Sequence, residues 1–230
     1  MRVRVSEDPM HLTGVRIETN LEEHITPNID PLKRAFDIVV SLVALILLAP
    51  LILLFAILVR IQDGGQAFFS QDRYGLNGKT FSCFKLRSMG VDAAERLQRL
   101  LDEDPEIRRE WQATQKLKSD PRITPLGRFL RKSSIDELPQ LWNVLKGDMS
   151  IVGPRPIVKN EIQKYGDSYR FYTAVRPGLT GLWQVEGRTE TTYQERVAMD
   201  VRYVQTRTFL KDVWIVLKTI PAVLASRGAV

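Results

Sequence analysis

The sequence has one cysteine, Cys83, and two histidines, His11 and His24, both within the first 30 of its 230 residues. A single thiol excludes a disulfide scaffold, paired-thiol redox chemistry and a multi-thiolate metal site. A body without imidazole excludes Ser-His, Cys-His and His-metal chemistry unless the leader folds back onto it. Carboxylates, Lys, Arg and a hard cation remain as reagents. No internal repeat or low-complexity segment is present, and 44% hydrophobic with 26% charged residues argues against wholesale disorder.

Charge is also missing locally. From Ile38 to Val59, 22 residues carry no charge and no glycine, and only Ser41 and Pro50 interrupt them. Lys33 and Arg34 precede the run and Arg60 follows it. A straight helix of that length covers about 33 Å, enough for a hydrocarbon core of about 30 Å. With 37 residues ahead of it, the run does not read as a cleaved secretory signal. Pro50 removes a helical hydrogen bond near the middle, and two readings compete. In one, a kinked helix spans the bilayer; in the other, a hairpin enters and leaves by one face, with Lys33, Arg34 and Arg60 at one headgroup layer. The residues alone favour spanning, because a break in hydrocarbon must have its backbone satisfied.

The formal charge of +6 is unevenly spread. Residues 1–30 hold three Arg against six acids, net −3, which leaves +9 for residues 31–230. The basic character belongs to the body. Ala67–Gln71 and Thr80–Lys85 read as strands joined by Gly75-Leu76-Asn77-Gly78. Val91–Leu117 reads as helix, split at Pro105, followed by helices over Leu126–Lys132 and about Leu138–Lys146. In the C-terminal helix Leu210, Val213, Trp214, Leu217, Ile220 and Leu224 form one stripe. Core packing is the default for that stripe, and the headgroup layer is the alternative.

Chemistry concentrates in Ser133-Ser134-Ile135-Asp136-Glu137-Leu138-Pro139. Ser134 and Glu137 have the spacing of a capping box, but Pro139 would then be the fifth helical residue, with its ring against the Ile135 carbonyl. A helix starting at Asp136 places Pro139 third and the acidic pair at the helix mouth. Arg122, Arg128, Arg131 and Lys132 precede the pair; Lys146, Arg155 and Arg176 follow it. Carboxylates among guanidinium groups suit phosphoryl transfer, where a nucleophile must approach a phosphate neutralised by cations or Mg²⁺. In Gly153-Pro154-Arg155-Pro156 two prolines restrict the backbone around one arginine, either as a rigid turn or as a pre-organised phosphate donor.

From Pro31 to the C-terminus the motifs run Lys33-Arg34-Ala35-Phe36-Asp37, Gln71-Asp72-Arg73-Tyr74-Gly75, Gly78-Lys79-Thr80-Phe81 and Lys85-Leu86-Arg87-Ser88-Met89. Then come Asp136-Glu137-Leu138-Pro139-Gln140-Leu141, Lys146-Gly147-Asp148-Met149-Ser150, Gly153-Pro154-Arg155-Pro156 and Arg176-Pro177-Gly178-Leu179-Thr180-Gly181. In this order they resemble the bacterial sugar transferase family, the monotopic polyprenyl-phosphate phosphoglycosyl transferases. The resemblance implies an α+β, mainly α fold: a re-entrant membrane helix (31–62) broken at Pro50, and a compact cytoplasmic catalytic domain (63–230). A small β-hairpin and amphipathic interfacial helices belong to that domain; residues 1–30, ahead of the resemblance, read from their charge as a poorly ordered acidic leader. Family members often have Ser before the proline, where this chain has Ala49. Large members carry further membrane helices and a second domain ahead of the catalytic unit, so the chain reads as a small member or a catalytic fragment.

The implied reaction is transfer of a sugar 1-phosphate from a UDP-sugar to undecaprenyl phosphate with release of UMP, at the cytoplasmic face of the bacterial inner membrane. The product starts exopolysaccharide, capsule or O-antigen assembly. The resemblance makes Asp136 the nucleophile of a ping-pong reaction and Glu137 a Mg²⁺ ligand. Lys85, Arg87 and Arg155 are then the phosphate candidates, Arg176 a nucleotide candidate, and Asp148 either a metal ligand or a backbone cap. Gly187-Arg188-Thr189 with Tyr193, Arg196, Asp200 and Tyr203 looks like the glucose or galactose 1-phosphate transferases, with N-acetylhexosamine 1-phosphate as the alternative. The phospholipid membrane is an expected partner, self-association stays open, and no nucleic acid is expected, since basic residues alternate with acids. A catalytically silent membrane-anchored scaffold is the rival from another class.

Overall fold

The computed structural model describes residues 30–114, 117, 119–187 and 191–224. The proposed acidic leader, both histidines, Arg188 and Thr189 lie outside the described residues, apart from Asp30. Helix α1 (Pro31–Asp63) opens on Asp30, whose carboxylate accepts from the Leu32 and Lys33 amides, and closes on Gly64 at φ +73°. Its 33 residues make about 50 Å of helix, and Pro50 lies inside one uninterrupted helical run. Among the described residues it is the one helix long and apolar enough to cross a membrane.

Strands β1 (Phe68–Tyr74) and β2 (Thr80–Leu86) form the expected antiparallel hairpin, with Lys85 opposite Phe69 and Phe81 opposite Arg73. Asn77 at φ +57° and Gly78 at φ +70° make its turn. Helices α2 (Ala93–Glu103) and α3 (Pro105–Thr114) follow, divided at Pro105 as the sequence predicts. Helix α4 (Pro125–Lys132) is N-capped by Thr124, and α5 (Gln140–Lys146) ends on Gly147 at φ +90°. Strand β3 (Ser150–Val152) then pairs in parallel with β4 (Gly178–Thr180), across α6 (Lys159–Tyr165) and α7 (Tyr169–Thr173). Helices α8 (Leu182–Glu186), α9 (Tyr193–Thr206) and α10 (Phe209–Leu224) are the last elements among the described residues.

Both ends of α1 are fastened to the body. At its start, Lys33 Nζ donates to Asp212 (2.6 Å) and to the Val152 carbonyl (3.1 Å), while Asp37 accepts from the Ile151 amide and the Ser150 hydroxyl. Arg34 donates to the Val144 and Leu145 carbonyls, and Arg176 Nε donates to the Gly147 carbonyl. Two guanidinium groups thus cap the C-terminal end of α5, where carbonyls lack intrahelical partners and the dipole is negative. Lys33 and Arg34 therefore point into the protein and not to the headgroup layer in which the hairpin reading of the sequence put them. At the far end Arg87 is bound to Asp63 through both terminal nitrogens. Between the ends, Val40, Ala44 and Leu48 pack on a core that includes Leu141, Val144 and Ile151. Ala56 and Val59 join a second cluster with Leu86 and Leu130. The opposite face is apolar and open: Val39, Ile46, Leu47, Leu53, Ile57 and Ile61 are exposed.

Core packing of the C-terminal stripe is corrected. Leu210, Trp214, Leu217 and Ile220 are exposed, and α10 packs through Asp212, Ile215 and Thr219 instead. Asp212, a charged residue, is among the buried ones, because Lys33 and Tyr203 satisfy it. The mainly helical body with its small sheets therefore presents two neighbouring apolar helix faces, joined where Phe36 meets Phe209 edge-on at 5.5 Å.

Candidate active site

The acidic pair sits on neither helix that the sequence offered. Residues Ile135–Glu137 form a separate 3₁₀ turn between α4 and α5, and Ser134 makes no capping bond. Ser134 instead adopts φ +56°, the left-handed conformation that is uncommon outside glycine and asparagine. That residue reverses the chain after α4, and Pro139, which has no N–H to place, begins α5. The result buries Asp136, at 6% exposure, and leaves Glu137 partly open.

Glu137 Oε1 accepts from Lys85 Nζ at 2.7 Å. Burial opposes its ionisation, but Lys85, Arg155 and Arg73 outweigh burial and hold its carboxyl below the ordinary glutamate range. Asp136 is different: burial dominates and lifts its carboxyl to about 6, the Glu137 charge adds to the rise, and Lys85 and Arg131 act against it. Two adjacent carboxyls are thus driven apart, one firmly anionic and one titrating near neutrality, a pattern of acid–base and nucleophilic sites.

The cations come from three elements. Lys85 and Arg73 occupy one face of the β-hairpin, since Lys85, Cys83 and Phe81 alternate along β2 and Arg73 lies opposite Phe81. Arg73 donates to the Pro156 carbonyl (3.2 Å) and to Gln71 (2.7 Å), with Glu161 at 3.7 Å. Arg155 stands in its loop between Pro154 and Pro156. The loop is tied to the Arg176–Gly181 segment by the Gly153 amide on Thr180 and the Gly178 amide on Pro154. A Cβ on Gly178 would lie 2.1 Å from the Gly153 nitrogen, so the glycines of these two motifs permit backbone-to-backbone contact. Arg131, on α4, donates through Nε to Ser88 (2.9 Å) and bears on Asp136. Arg73 and Arg131 had not been singled out in the sequence as site residues. Strand alternation from Lys85 would have found Arg73, whereas nothing local distinguishes Arg131 from its neighbours Arg128 and Lys132.

Three of the sequence candidates are engaged elsewhere. All five guanidinium donors of Arg87 are taken, by Asp63, by Met89 and by the Gln66 and Val59 carbonyls, so none is left for a phosphate. Arg176 is the cap on α5 described above. Asp148 lies at the other end of α5 from the acidic pair, held by Lys146 (3.0 Å) and Asn143 (3.2 Å). Of the residues flagged for sugar type, Tyr203 donates to Asp212 in the scaffold. Arg196 lies between the Trp183 and Tyr193 rings, at 5.0 and 5.2 Å, and Asp200 accepts from Tyr165.

Among the described residues no group of three or more His, Cys, Asp or Glu side chains converges as a metal site. Two hard carboxylates, Asp136 and Glu137, still fit Mg²⁺, which keeps its waters and takes most of its ligands from substrate phosphates. Glu137 is the ionised one and the better ligand; Asp148 is not brought to it.

Comparison with known proteins identifies the family. The family model described as bacterial sugar transferase matches residues 29–226. The exopolysaccharide production protein ExoY of Sinorhizobium fredii is 50% identical over 197 residues, 86% of this chain and 87% of its own length. The undecaprenyl-phosphate galactose phosphotransferase of Salmonella typhimurium is 48% identical over 215 residues, which cover 94% of this chain and 44% of that protein. A UDP-glucose:undecaprenyl-phosphate glucose-1-phosphate transferase of Caulobacter vibrioides is 40% identical over 209 residues, 87% of this chain and 73% of its own. With a matched segment that begins just before α1 and ends just beyond α10, the chain belongs to the bacterial sugar transferase family.

Proposed function

We propose that this sugar transferase moves a hexose 1-phosphate from a UDP-sugar to undecaprenyl phosphate and releases UMP, as a first membrane step in exopolysaccharide, capsule or O-antigen synthesis. The observation that carries the chemistry is the buried Asp136 beside an ionised Glu137 held by Lys85. In the first step an Asp136 carboxylate oxygen bonds to the β-phosphorus, and the bond from that phosphorus to the bridging oxygen breaks. UMP departs with that oxygen. In the second step a phosphate oxygen of the acceptor attacks the same phosphorus, the aspartyl bond breaks, and a polyprenyl diphosphosugar forms while Asp136 is regenerated. Lys85, Arg155 and Arg73 neutralise the phosphate oxygens, and bound Mg²⁺ would add charge neutralisation at the diphosphate.

Glucose and galactose are the favoured sugars, in keeping with relatives named for those two hexoses; N-acetylhexosamine donors are the alternative. The same reading places the body on the cytoplasmic face of the inner membrane, with α1 entering and leaving on that side. Its support is that Lys33, Arg34 and Asp37 at one end and Val59 and Asp63 at the other are all bound to one body. The test is UMP release from a panel of UDP-sugars. Without acceptor, the expected result is a burst of UMP equal to the enzyme present, seen with UDP-glucose or UDP-galactose. Release only when acceptor is added would refute the two-step scheme.

A further inference from the structure

The acidic pair has two unlike walls. On the Glu137 side stand Lys85, Arg73 and Arg155, which suit a polar, highly charged substrate. On the Asp136 side lies apolar surface continuous with the membrane helix. Ile135, the residue before Asp136, packs in one cluster with Leu130 of α4 and with Ala56 and Val59 of α1, and Leu130 is 0% exposed. The next residue of α4 toward its start, Phe129, is 52% exposed and its ring meets that of Phe55 of α1 at a 30° tilt, with centroids 5.7 Å apart. Leu53, Leu54 and Ile57, around Phe55, are open on the same stretch of α1, and Arg128 and Lys132 are exposed on either side of Phe129. An aromatic ring half open beside the second half of an apolar helix, with cations flanking it and a nucleophile at the end of its cluster, matches an amphiphile with an anionic head and an isoprenoid tail.

We infer that the first isoprene units of the acceptor lie against the face made by Phe129 and Phe55, so that the lipid reaches Asp136 along α4 while the nucleotide sugar arrives over the cationic wall. This assignment rests on the polyprenyl phosphate reading above, and it names the surface that receives the acceptor tail. Bulk phospholipid can wet the same surface; the acceptor differs in that its phosphate is to react at Asp136 while its chain remains in the bilayer.

The test separates the half-reactions and removes the bilayer. In detergent micelles with a C20 prenyl phosphate as acceptor, Phe129→Ser is expected to raise the acceptor KM about tenfold, corresponding to about 1.4 kcal/mol of lost contact. The acceptor-free UMP burst should keep its rate and amplitude, and Phe129→Leu should stay within about twofold of the parent, since an apolar side chain is retained. An unchanged acceptor KM in micelles would overturn the inference and leave Phe129 as a membrane anchor. A burst that falls in parallel with the acceptor step would also overturn it. As a second measurement, a photoreactive phenylalanine at position 129 should crosslink the labelled C20 phosphate and be competed by unlabelled undecaprenyl phosphate. Crosslinks to detergent or phospholipid alone would count against it. Absence of any UMP burst in the unmodified enzyme would instead bring down the reaction reading itself, and this assignment with it.

Discussion

Asp136 and Glu137 share one turn of backbone, yet burial governs the first and cations govern the second. A carboxyl lifted from 3.8 to about 6 by burial costs the folded state stability at neutral pH. Its contribution is fully present below the unfolded value and is lost as pH rises through about 6. Asp136→Asn should therefore abolish UMP release while raising the unfolding free energy by up to about 2–3 kcal/mol at pH 8. That gain should disappear near pH 4. Denaturant unfolding at the two pH values checks the sign, and a variant that is both inactive and destabilised at pH 8 would contradict it. With the ionised carboxyl as the proposed nucleophile, the burst rate of the parent should climb about tenfold per pH unit below about 6 and level off above it. At this scale the sequence was informative about which residues of the motifs gather and poor about their other partners. Asp136, Glu137, Lys85 and Arg155 come together as their motifs suggested. Arg87 lies two residues from Lys85 and is just as basic, and only the fold reveals that Asp63 has claimed it.

Elements were legible where a period or a breaker marked them. The hairpin showed through its turn residues, α1 through its run of apolar side chains, and the division of α2 from α3 through Pro105. The β3–β4 pair was invisible, because three-residue parallel strands separated by two helices leave no alternation to read. The 3₁₀ turn was missed because a left-handed Ser134 has no sequence signature comparable to glycine. The open face of α10 was misassigned because hydrophobic periodicity reports a stripe without saying whether protein or lipid covers it. The role of each basic residue near β2 is a property of the element it serves. Arg87→Gln should loosen the end of α1, lowering the unfolding free energy by about 1–3 kcal/mol through an orphaned Asp63 and unpaired carbonyls, with the KM for UDP-sugar unchanged. Lys85→Gln should do the reverse, with little effect on stability and a burst slowed by at least about tenfold. Thermal unfolding and burst kinetics on the same two variants decide between these roles.

For the whole molecule, the excess of 33 basic over 27 acidic residues divides by task once the fold is known. Part of it is internal scaffold: Lys33, Arg34 and Arg176 fasten α1 and α5 to the core. Another part faces the acidic pair, and the exposed remainder, including Arg60, Arg128 and Lys132, lies next to apolar helix faces. With both ends of α1 held by one body, single cysteines at positions 32 and 61 should be labelled by an impermeant thiol reagent from the same side of sealed inverted vesicles. Labelling from opposite sides would require the helix to cross. Cys83, the native thiol, is buried and should stay silent. The proposed reaction turns on a covalent bond at one carboxyl. Incubation of the full chain with UDP-glucose or UDP-galactose and Mg²⁺, without acceptor, followed by peptide mass analysis, should find a hexose 1-phosphate on the peptide containing Asp136 and none in Asp136→Asn. Normal turnover with no adduct on that peptide, or an adduct that persists in Asp136→Asn, would contradict it.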